Sequence, residues 1–324
     1  MRAIQIDRTG GPEVMHVAEL AVPEPGPGEV RVRHRACGVN FIDTYHRTGL
    51  YPTKLPAVLG VEGAGIVDAV GAGVTHVAAG DRVAYAARSP GSYAEARVLD
   101  AAPVVRLPDA ISFETAAAMM LKGLTVQYLL RRMRVELRPG EPILWHAAAG
   151  GVGSIACQWA KALGLVLIGT AGSRQKCELA RSLGATHVID YRREDVVARV
   201  RELTGGRGVQ VVYDSVGKDT WERSLDCLAP RGLMVSFGNA SGPVPPVSLL
   251  ELSRRGSLYV TRPTLGTFMT TRDEIDAMTR ELFDVVARGD VKIAIGRSYP
   301  LRDAARAHDD LEGRATTGAS ILVP

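Results

Sequence analysis

The residues whose types and spacing point most directly to chemistry are His146-Ala147-Ala148-Ala149-Gly150-Gly151-Val152-Gly153. They follow an apolar run, Ile143-Leu144-Trp145, and precede a segment whose Ala156, Trp159, Ala160 and Leu163 fall on one helical face. Glycines in a strand-to-helix turn let main-chain N–H groups approach a pyrophosphate at the positive end of the helix dipole. The first glycine of the usual GxGxxG pattern is Ala148 here, so the loop alone is a common α/β turn, and its placement between strand and helix is what points to a dinucleotide. An NAD-preferring site carries an acid about 20 residues further on for the ribose 2′-hydroxyl. This chain offers Gly172-Ser173-Arg174-Gln175-Lys176 instead, small, hydroxylic and cationic groups that suit a 2′-phosphate, and NADP is expected over NAD. The other reading makes Arg174 and Lys176 a solvated first helical turn, although cations there oppose the helix dipole unless an anion is near.

Other chemistries find less support. Cys37, Cys157, Cys177 and Cys227 lie far apart with no CxxC pair, so neither structural zinc nor a disulfide framework is expected; Cys157 and Cys227 read as buried small hydrophobes. The formal charge of +4 comes from 39 Lys and Arg interspersed with 35 Asp and Glu. Phosphate-backbone binding needs a concentrated cationic face, and nucleic acid is not an expected partner. Met1 to Asp7 contains no apolar signal core, and no window reaches the roughly 18 apolar residues that span a bilayer; a soluble, cytoplasmic protein is the expectation.

The elements that must position the glycine loop can be read on either side of it. At 324 residues the chain exceeds what one core usually carries, about 150 residues, and two domains are expected. Residues 1 to 120 read as short strands punctuated by Gly and Pro, among them Glu29 to Arg33, the glycine-rich Leu59 to Gly71 and Gly80 to Tyr85, which together imply a small, partly open barrel. From Ser112-Phe113-Glu114-Thr115 a helix is expected. Strands at 143–145, 165–170, 187–189, 209–213 and 233–237 then alternate with helices at 174–183, 195–203 and 219–228, which means a parallel sheet covered on both faces. Ile275, Met278, Leu282 and Val285 mark an amphipathic helix from Asp273 to Arg288, and Ile321-Leu322-Val323 a closing strand that returns to the first domain.

Gly140-Glu141, Leu144, Ala148-Ala149-Gly150-Gly151, Gly153, Gln158 and Lys161 stand at the spacing of the quinone oxidoreductase and zeta-crystallin branch of the medium-chain dehydrogenase/reductase superfamily, and the chain resembles its bacterial members. The likeness runs through Gly60-Val61-Glu62-Gly63-Ala64-Gly65 and Gly80-Asp81-Arg82-Val83 to Val212-Tyr213-Asp214-Ser215-Val216-Gly217. It implies an α/β fold with a Rossmann-type doubly wound parallel sheet over 124–267 and a GroES-like β-barrel catalytic domain over 1–123 plus 268–324. Zinc enzymes of this superfamily place Cys and His where this chain has Asn40, Phe41 and Val61, none of which can replace a thiolate or imidazole, so no metal is expected. Without that Lewis acid an already electrophilic acceptor is the better substrate.

By the same resemblance, Asn40, Asp43, Tyr45 and Tyr51 line the catalytic cleft; an amide and two phenols can stack on a flat ring and donate to its oxygens, while the alternative is a structural turn with two half-buried tyrosines. NADPH would be held by the loop residues Ala149, Gly150, Gly151, Val152 and Gly153. Thr125, Tyr128, Gly172, Ser173, Lys176 and Tyr191 are further cofactor positions, followed by Phe237, Gly238, Asn239 and Arg314. The function implied is zinc-independent, NADPH-dependent reduction of quinones by hydride transfer; a reductase of α,β-unsaturated ketones or 2-alkenals, or a non-catalytic NADPH-binding protein, are the alternatives. Ser257-Leu258-Tyr259-Val260-Thr261 reads as an apolar strand whose edge position would favour a homodimer, the assembly the resemblance also implies.

Overall fold

The computed structural model describes all 324 residues. The chain begins with β1 (Arg2–Ile6), β2 (His16–Glu19) and the long β3 (Glu29–Val39), whose Val30 and Val32 point into a barrel core while alternate residues face outward. A short helix α1 (Phe41–Thr48) follows Asn40 and ends at Gly49 in the left-handed conformation. Next come β4 (Ala57–Val58), β5 (Glu62–Val70), β6 (Arg82–Ala86), β7 (Ala96–Asp100) and β8 (Val105–Arg106). Helix α2 (Phe113–Arg131) is longer than the sequence pattern marks, and Gly123 within it lies where a Cβ would stand 2.5 Å from Leu282.

Strand and helix then alternate: β9 (Pro142–Trp145), α3 (Gly151–Ala162), β10 (Val166–Ala171), α4 (Arg174–Ser182), β11 (His187–Asp190), α5 (Val196–Leu203), β12 (Val209–Asp214), α6 (Trp221–Asp226) and β13 (Leu228–Ser236). After α7 (Leu250–Arg254), β14 (Tyr259–Thr261) completes a six-stranded sheet of order β11-β10-β9-β12-β13-β14, parallel at every pairing. The order reverses between β9 and β12, the position where doubly wound sheets leave a crevice at the carboxyl ends of their strands. Leu144, Ile168, Val212 and Met234 fill the core beneath it.

The chain closes with α8 (Arg272–Ala287), β15 (Ile295–Pro300), α9 (Ala304–Glu312) and β16 (Ala319–Val323). β16 pairs antiparallel with β3 and parallel with β15, in a sheet running β15-β16-β3-β5-β6-β8 with β7 also on β3. β1, β2 and β4 form a separate three-stranded sheet. Contacts divide the chain into two units, Met1–Leu124 with Met269–Ala287 and Ile293–Pro324, and Thr125–Phe268 with Arg288–Lys292. The small segment Arg288–Lys292 joins the α/β unit because Lys292 exchanges both its main-chain bonds with the Gln158 amide, at 2.8 and 3.0 Å.

Candidate functional site

In the α/β unit, the glycine loop emerges from β9, the first strand beside the reversal. Ala147 takes a positive φ of 55°, and its carbonyl accepts from Gly150 N at 2.9 Å, which turns the chain into α3. Gly150 is the N-cap of α3 and brings no capping side chain, so the amides of Gly151, Val152 and Gly153 form a first helical turn without intrahelical partners. An added Cβ on Gly153 would lie 2.3 Å from the Ala147 carbonyl oxygen, so helix and loop pack too closely for any side chain there. The Ala148 methyl, where the usual pattern has glycine, is accommodated because its neighbour on β10 is Gly169, whose own Cβ would meet it at 2.6 Å. A backbone cradle at a positive helix end fits a dinucleotide pyrophosphate.

Beneath the loop lies a buried polar network that sequence reasoning gave no role. His146 Nδ1 is 2.9 Å from Thr170 Oγ1, His146 Nε2 is 3.0 Å from Ser224 Oγ, and Ser224 donates to Asp214 Oδ2 at 2.7 Å. Because the Ser224 proton goes to the carboxylate, its oxygen accepts from His146 Nε2–H, and Nδ1 accepts from Thr170. Burial and the Arg223 charge hold His146 neutral against the pull of Asp214. Asp214 also accepts from Thr220 Oγ1 and from Val216 and Gly217 N–H, so this buried carboxylate is fully bonded and ties the ends of β9, β10 and β12 together.

At the end of β10, Ser173 caps α4 by accepting from Lys176 N at 3.3 Å. Gly172 permits the close approach of Tyr191, whose hydroxyl would lie 2.2 Å from a Cβ at that position. Arg174 pairs with Glu178 at 2.9 Å, both exposed, an arrangement weak enough for an anion to displace. Tyr128, by contrast, is buried and stacked on Phe268 with ring centroids 4.5 Å apart, and Thr125 lies just before it within α2. Phe237 N donates to Asp214 O, a Cβ on Gly238 would stand 2.4 Å from Ser215 O, and Asn239 bridges Gly238 O and Arg262, 3.0 Å to each, when its amide is assigned with nitrogen towards Gly238 O and oxygen towards Arg262. Arg262 also holds Ser236 O at 2.8 Å; it is a second residue the sequence pattern did not single out. Arg314 belongs to the barrel unit, at a positive φ of 57° between α9 and β16.

In the barrel unit, Asn40 and Asp43 stand three residues apart as N-cap and N3 of α1, and Asp43 Oδ2 reaches back to Asn40 N at 2.9 Å. Asp43 is completely enclosed, and the capping geometry turns its carboxylate inward. Asn40 Nδ2 donates to the buried Glu62 at 2.8 Å, and Glu62 also accepts from Leu121 N and from Lys122 at 3.4 Å. Tyr45 and Tyr51 meet edge to face at 5.2 Å, and His46 contacts Tyr51 at 5.9 Å while bonding Thr53 Oγ1. Asn40, Tyr45 and Tyr51 are therefore gathered around one short helix. Cys37 is buried on Ser92 O, Val61 is buried in the core, and no three His, Cys, Asp or Glu side chains are arranged to hold a metal ion.

Residues 26–109 match the family of alcohol dehydrogenase GroES-like domains, and residues 151–284 the family of zinc-binding dehydrogenases. A quinone oxidoreductase of Pseudomonas aeruginosa is 60% identical over 324 residues, 100% of this chain and 99% of that relative. A 2-haloacrylate reductase of a Burkholderia species is 44% identical, covering 99% of this chain and 98% of its own. The crystal structure of an Escherichia coli quinone oxidoreductase complexed with NADPH matches with a TM-score of 0.98 at 55% identity, over 100% of both chains. With identity of this order from end to end, the chain is an oxidoreductase that belongs to the quinone oxidoreductase family of the medium-chain dehydrogenase/reductase superfamily.

Proposed function

We propose that this chain reduces quinones with NADPH by hydride transfer, without a metal. The observation that carries the reading is the open first turn of α3 under the glycine loop, placed at the strand-order reversal, in a chain that matches quinone oxidoreductases along its whole length. Gly150 to Gly153 would hold the pyrophosphate, and Ser173 with Lys176 and Tyr191 the 2′-phosphate end, where β10 is followed by no acid. When bound, NADPH supplies the hydride. Asn40 and Tyr51 would orient the acceptor: Asn40 keeps a second amide hydrogen after bonding Glu62, and a phenol can donate to the oxygen on which charge develops. Asn40, Phe41 and Val61 cannot ligate zinc, so stabilisation of that oxygen falls to these donors.

The 44% identity to a 2-haloacrylate reductase keeps reduction of an activated alkene as the second reading, since both acceptors take hydride at a conjugated carbon. A homodimer in the cytoplasm completes the proposal. It is supported by β14 at the sheet edge, with Tyr259 63% exposed and Leu249 and Leu250 exposed nearby, and by the lack of any helix long and apolar enough to cross a membrane. Single-turnover mixing of NADPH-loaded protein with a quinone tests the reading: loss of the reduced-nicotinamide absorbance in step with hydroquinone formation supports it, and an unchanged absorbance contradicts it.

A further inference from the structure

The capping carboxylate of α1 is the end of a longer chain of buried polar groups that draws on three distant parts of the sequence. Arg47 Nη1 lies 3.0 Å from His308 Nδ1, His308 Nε2 lies 3.1 Å from the Tyr93 hydroxyl, and Tyr93 donates to Asp43 Oδ2 at 2.8 Å. Asp43 and Arg47 come from α1, His308 from α9, and Tyr93 from the segment before β7; all four are buried. The direction of every bond is fixed. Arginine can only donate, so His308 Nδ1 accepts, its Nε2 carries the hydrogen and donates to Tyr93, and the Tyr93 hydrogen points at the carboxylate. At its outer end Arg47 pairs with the half-exposed Glu312 at 2.8 Å and bonds Gly10 O.

We propose that the Arg47–His308–Tyr93–Asp43 chain is a positioning device for the substrate-side residues, holding the α1 cap and with it Asn40 and Tyr45, and that it couples quinone turnover to the ionisation of Asp43 while leaving NADPH binding unaffected. This rests on the reading that Asn40 and Tyr51 orient the quinone, with Tyr45 packed on Tyr51.

Asp43 Oδ2 carries both bonds, from Tyr93 and from Asn40 N–H, whereas Oδ1 is buried with no hydrogen-bond partner. That orphan oxygen is where a proton can sit without breaking the cap outright. The titratable and charged groups around it are Glu62 from β5, Lys122 from α2, Cys37 from β3, Tyr93, and beyond Tyr93 His308 and Arg47. Burial pushes the Asp43 carboxyl up to about 7, against the bonds from Tyr93 and Asn40 and the Lys122 charge, with Glu62 adding to the rise. Burial and Arg47 push His308 down to about 3, and burial and Asp43 push the Tyr93 phenol up, so Asp43 is the member of the chain that titrates near neutrality. Protonation weakens a charge-assisted bond to Asn40 N and removes the negative charge from the start of α1.

The test uses the full-length protein, with 1,4-benzoquinone as acceptor, and compares wild type with Tyr93→Phe, His308→Leu and His308→Gln. NADPH affinity is followed by nucleotide fluorescence, kcat/KM for the quinone across pH 5 to 9, and the Asp43 carboxyl by carbon-13 NMR without substrate. In wild type the carboxyl resonance and the acid limb of kcat/KM are expected to share one midpoint. Losing the Tyr93 hydroxyl removes a donor that favours the carboxylate, so in Tyr93→Phe both midpoints should move up by about one pH unit while NADPH affinity is kept. His308→Leu should move them the same way, and His308→Gln, which can accept from Arg47 and donate to Tyr93, should restore the wild-type profile. An Asp43 resonance that titrates alike in wild type and Tyr93→Phe overturns the inference, as does a kcat/KM limb that ignores the resonance. A wild type that turns over no quinone overturns the functional reading instead, and the NMR comparison separates the two.

Discussion

Gly150 and Gly153 lie one helical turn apart and tolerate side chains very differently. A Cβ on Gly150 would meet the Ala147 carbonyl oxygen at 3.2 Å, within reach of a small shift, whereas on Gly153 it would lie 2.3 Å from that oxygen and 2.7 Å from Ala148. Gly153→Ala should therefore lower stability by about 1 to 3 kcal/mol and weaken NADPH at least tenfold by displacing the loop, and Gly150→Ala should do markedly less; calorimetric titration beside thermal unfolding measures both. Lys176 carries a second expectation. If it faces the 2′-phosphate, NADPH binds about tenfold tighter than NADH, about 1.4 kcal/mol, and Lys176→Glu inverts the preference; equal affinities in wild type would favour the solvated-turn reading. The loop was legible because its chemistry is backbone chemistry, written in consecutive residues. His146, Arg262 and His308 were not, because what defines them is a hydrogen-bond partner 24 to 261 positions away: Thr170 and Ser224, the Ser236 carbonyl, and Arg47. Asp43 was singled out through resemblance, yet its enclosure depends on Tyr93, which nothing near it in sequence announces.

At the scale of elements, β14 is a three-residue strand bonded on one side to β13 and on the other to nothing in its own sheet. Tyr259 and Val260 are exposed on it, and pairing with a second copy about a twofold axis would satisfy the unbonded edge. Sedimentation at micromolar concentration should show a dimer, and Tyr259→Lys should shift it towards monomer; a monomeric wild type contradicts the expectation. The alternation of strands and helices from β9 to β13 was read directly from the sequence, since buried parallel strands are continuous apolar runs and the helices between them are amphipathic. Short elements with weak patterns escaped, α7 among them. The Asn40-to-Asp43 spacing is an N-cap signal for α1, but a helix of only eight residues carries too short a pattern to stand out from a turn. Helix α9 buries Ala304, Ala307 and His308, small or polar residues that leave almost no apolar period, and β15 is half polar at an edge. Both belong to a strand-helix-strand crossover inside the barrel unit, in which β15 and β16 pair in parallel.

For the whole molecule, stability responds to pH through two buried groups that act in opposite senses. His34 is enclosed between Ala94 O and the Tyr85 hydroxyl, and burial pushes it down from 6.5 to about 4. A group whose folded value is depressed resists protonation that the unfolded chain accepts, so its stabilisation is full above 6.5 and is lost as pH falls towards 4. Asp43, raised in the folded state, acts in the opposite sense, its contribution shrinking as pH rises through about 7. His34→Gln isolates the first term: its loss of urea stability between pH 7 and pH 5 should be about 2 kcal/mol smaller than that of wild type, and an equal loss would show that His34 titrates freely. The central claim, hydride transfer from NADPH to a quinone, is tested most directly by steady-state nucleotide oxidation against a panel of quinones, enones and 2-alkenals, with NADPH and NADH compared in parallel. The account predicts quinone-dependent oxidation with a kcat/KM higher for quinones than for the activated alkenes and higher with NADPH than with NADH. Protein that binds NADPH but leaves it unoxidised in the presence of every quinone would contradict it.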